Sequence, residues 1–144
     1  MKLFVTGGAG FIGSNFTRMV LNNALSGLEN AEVTVFDALT YSGTLSNLES
    51  VAGSERFSFV EGDIRDTAAV SAALPGHDAI VHFAAESHVD RSVTDSRIFV
   101  DTNVLGTQTL LDAALKLDIP RFVHVSTDEV YGSIEEGSWN EEQP

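Results

Sequence analysis

The sequence contains no cysteine. That removes disulfides, a thiolate nucleophile and sulfur-ligated metal centres from its chemistry, and it suits a reducing compartment. Cations are scarce: eight lysines and arginines stand against 21 aspartates and glutamates, a formal charge of −13. Such a surface repels nucleic acid phosphates and anionic membranes, so neither is expected as a partner. No apolar stretch reaches the roughly 20 residues of a membrane span, and the amino end lacks the basic segment and apolar run of a secretory leader. These absences predict a soluble cytoplasmic protein. What is present is 144 residues with 43% hydrophobic content, enough for one core of ordinary domain size. An anionic small molecule is compatible with the charge if local backbone donors and helix ends hold it.

Apolar periodicity alternates along the chain. It predicts strands at 2–6, 32–36, 57–60, 79–83 and 121–125, helices at about 12–25, 67–74 and 95–117, and a short helix at 45–51. Breakers punctuate the pattern: Ser26-Gly27, Ser42-Gly43, Pro75-Gly76 and Pro120. Nearly all-apolar strands in a βαβα succession argue an α/β fold, a doubly wound parallel sheet of Rossmann type with strand order 3-2-1-4-5. One domain, 1–144, is expected. In the first helix Ile12, Phe16, Met19, Val20 and Leu25 form an apolar face. In the long helix Ile98, Val100, Val104, Leu105, Leu110, Leu111, Ala114 and Leu115 form a stripe expected to be core packing. Thr102 and Asn103 are weak helix formers within it, so one of them is expected to meet a ligand, a water or a neighbouring carbonyl.

The segment Gly7-Gly8-Ala9-Gly10-Phe11-Ile12-Gly13 satisfies both Gly-x-Gly-x-x-Gly and Gly-x-x-Gly-x-x-Gly, between a predicted strand and a predicted helix. Missing β-carbons let the backbone approach a pyrophosphate, and the helix end faces its charge. Asp37 ends the second strand, 24 residues after Gly13, close to the roughly 20 expected of a carboxylate that binds adenosine ribose hydroxyls. Ala38 offers nothing to a 2′-phosphate, so the cofactor expected is NAD rather than NADP. In a parallel sheet the segments after each strand converge on one edge. They include Asp37 to Tyr41, Gly62 to Asp66 and Ala84 to Ser92. Asp63 with Ile64 suits an adenine amino group and ring; Asp63 reads equally as the start signal of the helix at 67–74. Ala84 and Ala85 permit close approach to a cofactor. Ser87, His88 and Arg91 suit substrate hydroxyls or phosphate, and His88, Asp90 and Arg91 read alternatively as an ion-paired loop. His82 and His124 lie in strands and read as structural, and no metal site is expected. After the last strand, Thr127-Asp128-Glu129 sets a hydroxyl beside two carboxylates, which can divide acid and base duties if their surroundings separate their pKa values; the same triplet reads alternatively as an acidic turn.

Together these motifs resemble the extended short-chain dehydrogenase/reductase superfamily and, within it, the dTDP-glucose 4,6-dehydratases. The resemblance runs through Thr6 to Gly13, Asp37 to Tyr41, Gly62 to Asp66, Phe83 to Ser92, Thr102-Asn103 with Gly106-Thr107, and Ser126 to Gly132. It implies a tightly held NAD, reduced and reoxidised within one turnover. Gly7, Gly10, Phe11, Ile12 and Gly13 would serve the pyrophosphate, Asp37, Leu39 and Thr40 the adenosine half, and Asp63 and Ile64 the adenine. Phe83, Ala84, Ala85, Ser87 and Thr102 would line the rest of the dinucleotide, with Ser87 and Thr127 also touching substrate. Glu129 would take the C5 proton, Asp128 would protonate the departing C6 hydroxyl, and Thr127 would bond the C4 oxygen. The resemblance also implies dTDP-glucose or a related nucleotide sugar as substrate and a homodimeric parent. Related 4-epimerases look similar but generally carry small residues where Asp128 and Glu129 stand, and a non-catalytic dinucleotide-binding module is the other alternative. The superfamily's Tyr-x-x-x-Lys pair is missing: Tyr41 precedes Leu45 and Tyr131 precedes Glu135 at that spacing, and the only lysines are Lys2 and Lys116. The expectation is therefore an N-terminal portion, inactive alone and without the last strand and the sugar-nucleotide-binding lobe.

Overall fold

The computed structural model describes residues 1–142; Gln143 and Pro144, the end of the expected domain, lie outside the described residues. Five parallel strands, β1 (Lys2–Thr6), β2 (Glu32–Asp37), β3 (Phe57–Glu61), β4 (Ala79–His82) and β5 (Phe122–His124), form one sheet. Their order is β3-β2-β1-β4-β5, as expected. The chain leaves β1 on one side for β2 and β3, then crosses to the other side for β4 and β5. That reversal parts the segments following β1 and β4 and opens a crevice at the carboxyl edge. Register pairs Thr6 with Phe36 on one side and with His82 on the other, so the segments leaving these strands start at one level.

Both faces of the sheet are covered, which is why its strands are apolar on both sides. In β1, Leu3 and Val5 point to one layer and Phe4 to the other, all fully or almost fully buried. On the first face Val20 and Leu21 of α1 (Phe11–Leu21), with Leu48 and Val51 of the 3-10 segment Leu45–Val51, meet Leu3, Val5, Val33 and Val35. On the second, Val70 of α2 (Thr67–Ala73) and Leu110, Ala113 and Ala114 of α5 (Thr107–Lys116) meet Phe4, Phe36 and Ile80. Each fully buried large side chain of this kind contributes ~1.5–3 kcal/mol.

Two helices differ from the sequence pattern. α1 stops at Leu21, not near 25, because Asn22 caps it and Asn23 takes a left-handed φ of 56°, a conformation asparagine tolerates. Its buried face is Gly13, Ser14, Thr17, Val20 and Leu21, whereas Ile12 is 61% exposed. Small residues let the helix start press against the glycine loop, which turns the bulky Ile12 outward. The expected helix at 95–117 runs as α4 (Arg97–Phe99), a π-type stretch Val100–Gly106, and α5, and a separate helix α3 (Val89–Thr94), which the apolar pattern missed, precedes it. Wider turns shift the phase of the stripe. Leu110 and Ala114 are buried as expected, but Val100, Val104, Leu105, Leu111 and Leu115 are exposed, so most of the stripe is not core. Among the described residues β5 pairs only with β4, and Val123 in it is half exposed.

Candidate functional site

The glycine loop joins β1 to α1. Gly7 has a φ of 67°, and a β-carbon there would lie 2.6 Å from the Ala84 amide nitrogen. Only glycine satisfies both the left-handed backbone and that approach. The Gly7 N–H donates to the Phe36 carbonyl at 3.0 Å, and Gly10 N–H donates to the Gly7 carbonyl at 3.2 Å. Gly10 is the extended cap of α1 and supplies no side-chain acceptor. The first bond inside the helix runs from Ser14 N–H to the Gly10 carbonyl, which leaves the N–H groups of Phe11, Ile12 and Gly13 as the open donors of the helix end. The first turn carries no acid. Open donors and an uncancelled positive dipole make this end suited to an anion. A β-carbon at Gly13 would overlap the Gly7 carbonyl, and one at Gly8 would press on Val35.

Asp37 closes β2 and is only 8% exposed. Its two carboxylate oxygens accept Ala9 N–H and Leu39 N–H, each at 2.9 Å, so one side chain fixes the glycine loop and the segment after β2 together. Leu39 holds a left-handed φ of 48° to complete that turn. After β3, Arg65 grips Asp63 through its backbone N–H at 2.9 Å and its guanidinium at 2.6 to 3.0 Å. The side-chain bonds of Arg65 hold the Asp63 carboxyl below its ordinary value despite partial burial. The reading of Asp63 as a helix-start signal is corrected: Asp66 caps α2, accepting Ala68 and Ala69 N–H at 2.9 and 3.1 Å. A carboxylate one residue before the helix reaches those donors and one four residues before does not.

The third wall follows β4. Asn103, in the π-type stretch, accepts Glu86 N–H at 2.8 Å and donates to the Glu86 carbonyl at 2.9 Å, the neighbouring-carbonyl contact anticipated for Thr102 or Asn103. The Glu86 carboxylate accepts the Tyr41 hydroxyl at 3.0 Å, and Arg91 lies 4.0 Å from the same oxygen. Burial and then the Glu86 bond push the Tyr41 phenol above its ordinary value. Arg91 is thus directed to Glu86 and Tyr41, which favours the ion-paired reading of this loop, with Glu86 rather than Asp90 as the acid. Beneath, His82 is buried with Nδ1 2.6 Å from the Thr6 hydroxyl and Nε2 3.0 Å from the Thr107 hydroxyl. The Thr107 hydroxyl donates to the Asn103 carbonyl at 2.7 Å, so His82 Nε2 donates to it and Nδ1 accepts from Thr6. Burial, helped by His124, lowers the His82 pKa to about 4. Its role is structural, as its place in a strand suggested. Among the described residues no group of three or more His, Asp or Glu is arranged to hold a metal ion.

These walls line a crevice of about 140 Å³ that opens to solvent. Of the residues expected at the site, it brings together Gly7, Gly10, Asp37, Thr40, Asp63, Ile64, Phe83, Ala84, Ala85 and Thr102. Gly13 and Leu39 sit behind it in supporting roles. Phe11 is 90% exposed and Ile12 largely so, both on the first turn of α1 outside the lining. Ser87 is exposed and does not line the crevice. Thr127, Asp128 and Glu129 follow β5 on a 3-10 turn, Asp128–Tyr131, at the same sheet edge. Their side chains are exposed and do not line the crevice either. Sequence reasoning passed over Arg65 and Glu86, both in the lining. The signal for Arg65 was its two-residue spacing from Asp63; Glu86 carried none, because its partners come from distant segments.

The model of the GDP-mannose 4,6-dehydratase family matches residues 4–144. The chain is 56% identical over its whole length to the dTDP-glucose 4,6-dehydratase of Streptomyces niveus, covering 43% of that relative. Among solved structures, it is similar to the Streptomyces venezuelae dTDP-glucose 4,6-dehydratase DesIV, crystallised with NAD and TYD bound. There the TM-score is 0.96 at 56% identity, with all of this chain and 45% of the other covered. A more distant likeness is the UDP-Glc/GlcNAc 4-epimerase of Campylobacter jejuni, with a TM-score of 0.88 at 31% identity over 99% of this chain and 42% of that one. The chain spans less than half the length of the relatives it matches.

Proposed function

The chain belongs to the GDP-mannose 4,6-dehydratase family, and on that premise we propose that it forms the NAD-binding portion of a nucleotide-sugar 4,6-dehydratase acting on dTDP-glucose. The observation that carries the reading is the meeting of three elements at one crevice: Gly7 against Ala84, the open start of α1, and Asp37 beside both. A β-carbon at Gly7 would collide with the Ala84 backbone, so the glycine lets the loop close on that wall, and Gly10 caps α1 with no side chain over its open N–H groups, which leaves that helix end free for a pyrophosphate and fits the group. The N–H groups of Phe11, Ile12 and Gly13 would face the pyrophosphate. Asp37 would take the adenosine ribose hydroxyls while keeping its backbone bonds, with Leu39 and Thr40 shaping that end. Asp63, held ionised by Arg65, would accept the adenine amino group above Ile64. Phe83, Ala84, Ala85, Ser87 and Thr102 would line the rest of the dinucleotide.

The chemistry that NAD would supply at this crevice is reversible hydride acceptance, with the hydride leaving C4 of the glucose and returning at C6. Glu129 would remove the C5 proton, made acidic by the C4 ketone, and return it to C5 as the hydride adds at C6, and Asp128 would protonate the C6 hydroxyl as it leaves as water. Thr127 would hydrogen-bond the C4 oxygen, and Ser87 a substrate hydroxyl. The C4 hydroxyl proton needs a base, and Tyr41 is poorly suited to it: burial and its bond to Glu86 push its phenol above the ordinary value. The exposure of Thr127 to Glu129 agrees with a substrate pocket built partly by residues outside this chain. The exposed apolar residues Val104, Leu105 and Leu115 support the homodimeric parent that the resemblance implies. In the complete encoded polypeptide, Asp128→Asn and Glu129→Gln should each lower dTDP-glucose dehydration by about a hundredfold or more while leaving NAD binding intact. Unchanged product formation, followed by mass spectrometry as loss of one water, would remove the acid and base assignment.

A further inference from the structure

A side-chain brace joins the two walls of the crevice. Tyr41 lies between Thr40 and Ser42, which line the wall after β2, and Glu86 lines the wall after β4. Their 3.0 Å hydrogen bond crosses 45 residues of sequence. The Arg91 guanidinium carbon lies 4.0 Å from the centre of the Tyr41 ring and one of its nitrogens 4.0 Å from the Glu86 carboxylate, so it closes a three-residue contact. Glu86 itself is buried and has its backbone N–H and carbonyl both tied to Asn103. A buried carboxylate carries a desolvation cost that fixed donors must offset. Merely linking β4 to α3 does not require one.

We propose that Glu86 is a positioning residue for the dinucleotide: with Tyr41 and Arg91 it holds the adenosine-side and nicotinamide-side walls at a fixed separation, and so slows cofactor release. The inference rests on the NAD reading above. Walls set before binding lose less freedom when the ligand enters. A cofactor that is regenerated in each turnover gains from slow departure, since it has no need to leave.

The test follows displacement of NADH by excess NAD, read by nicotinamide fluorescence in the complete encoded polypeptide. Tyr41→Phe keeps a ring beneath Arg91 and removes the donor; release should quicken about tenfold, as loss of a hydrogen bond to a carboxylate implies. The melting temperature without cofactor should not move, because Tyr41 is half exposed. Glu86→Gln retains an acceptor for Tyr41, and its release rate should stay within about threefold of the wild type. Glu86→Ala should release at least as fast as Tyr41→Phe. Wild-type release in Tyr41→Phe, or a lowered melting temperature with release unchanged, would overturn the brace and leave the NAD reading standing. A wild-type protein that binds neither NAD nor NADH would overturn that reading and the brace with it.

Discussion

At the scale of single residues, the glycine loop and His82 make the sharpest demands. Gly7→Ala adds a β-carbon against the Ala84 backbone at a left-handed φ. The strained backbone alone costs ~1–3 kcal/mol, and the β-carbon forces the glycine loop away from Ala84, which lines the crevice; NAD binding by titration calorimetry should become undetectable even where folding survives. His82 has a folded pKa of about 4, below its ordinary 6.5. Between those values the unfolded chain takes up a proton that the folded chain refuses. The stability His82 contributes is therefore complete above pH 6.5 and is lost as pH falls toward 4, by at most ~3 kcal/mol. Urea melts at pH 7 and pH 4.5 should show a smaller difference for His82→Gln than for the wild type. The glycine loop and Asp37 were legible in sequence because local spacing alone defines them. Glu86 was not, since its meaning comes from Tyr41, Arg91 and Asn103, which only the folded chain brings near.

At the scale of elements, strands were easier to read than helices. A parallel strand covered on both faces is a plain apolar run, and all five such runs became strands in the expected order. Helix phase was harder. The stripe through 98–115 assumes a constant turn, and the π-type stretch Val100–Gly106 breaks that assumption. Thr102 and Asn103 hinted at the break, and Asn103 uses it to reach Glu86. Asn103→Ala should lower stability by ~2 kcal/mol through loss of two part-buried hydrogen bonds, measured by urea denaturation. Asp66→Ala should cost ~1 kcal/mol by uncapping α2, with no effect on NAD affinity, because Asp66 does not line the crevice.

At the scale of the whole molecule, the described residues form a sheet covered on both faces, with β3 and β5 as its edge strands and an exposed apolar surface. Val104, Leu115 and Val123 are 57%, 77% and 52% exposed. Apolar surface of this kind drives association, so sedimentation of the 144-residue polypeptide should show mass rising with concentration. A monodisperse monomer that melts cooperatively would contradict that expectation. The crevice is lined by the segments that follow β1 to β4, whereas Thr127, Asp128 and Glu129 stand at the same sheet edge outside the lining. The dehydration account therefore depends most on what happens to the sugar. The direct measurement gives the complete encoded polypeptide dTDP-glucose carrying deuterium at C4 and locates the label in the product. The account predicts deuterium in a C6 methyl group with one water lost; deuterium back at C4 of a sugar that keeps its C6 hydroxyl would contradict it.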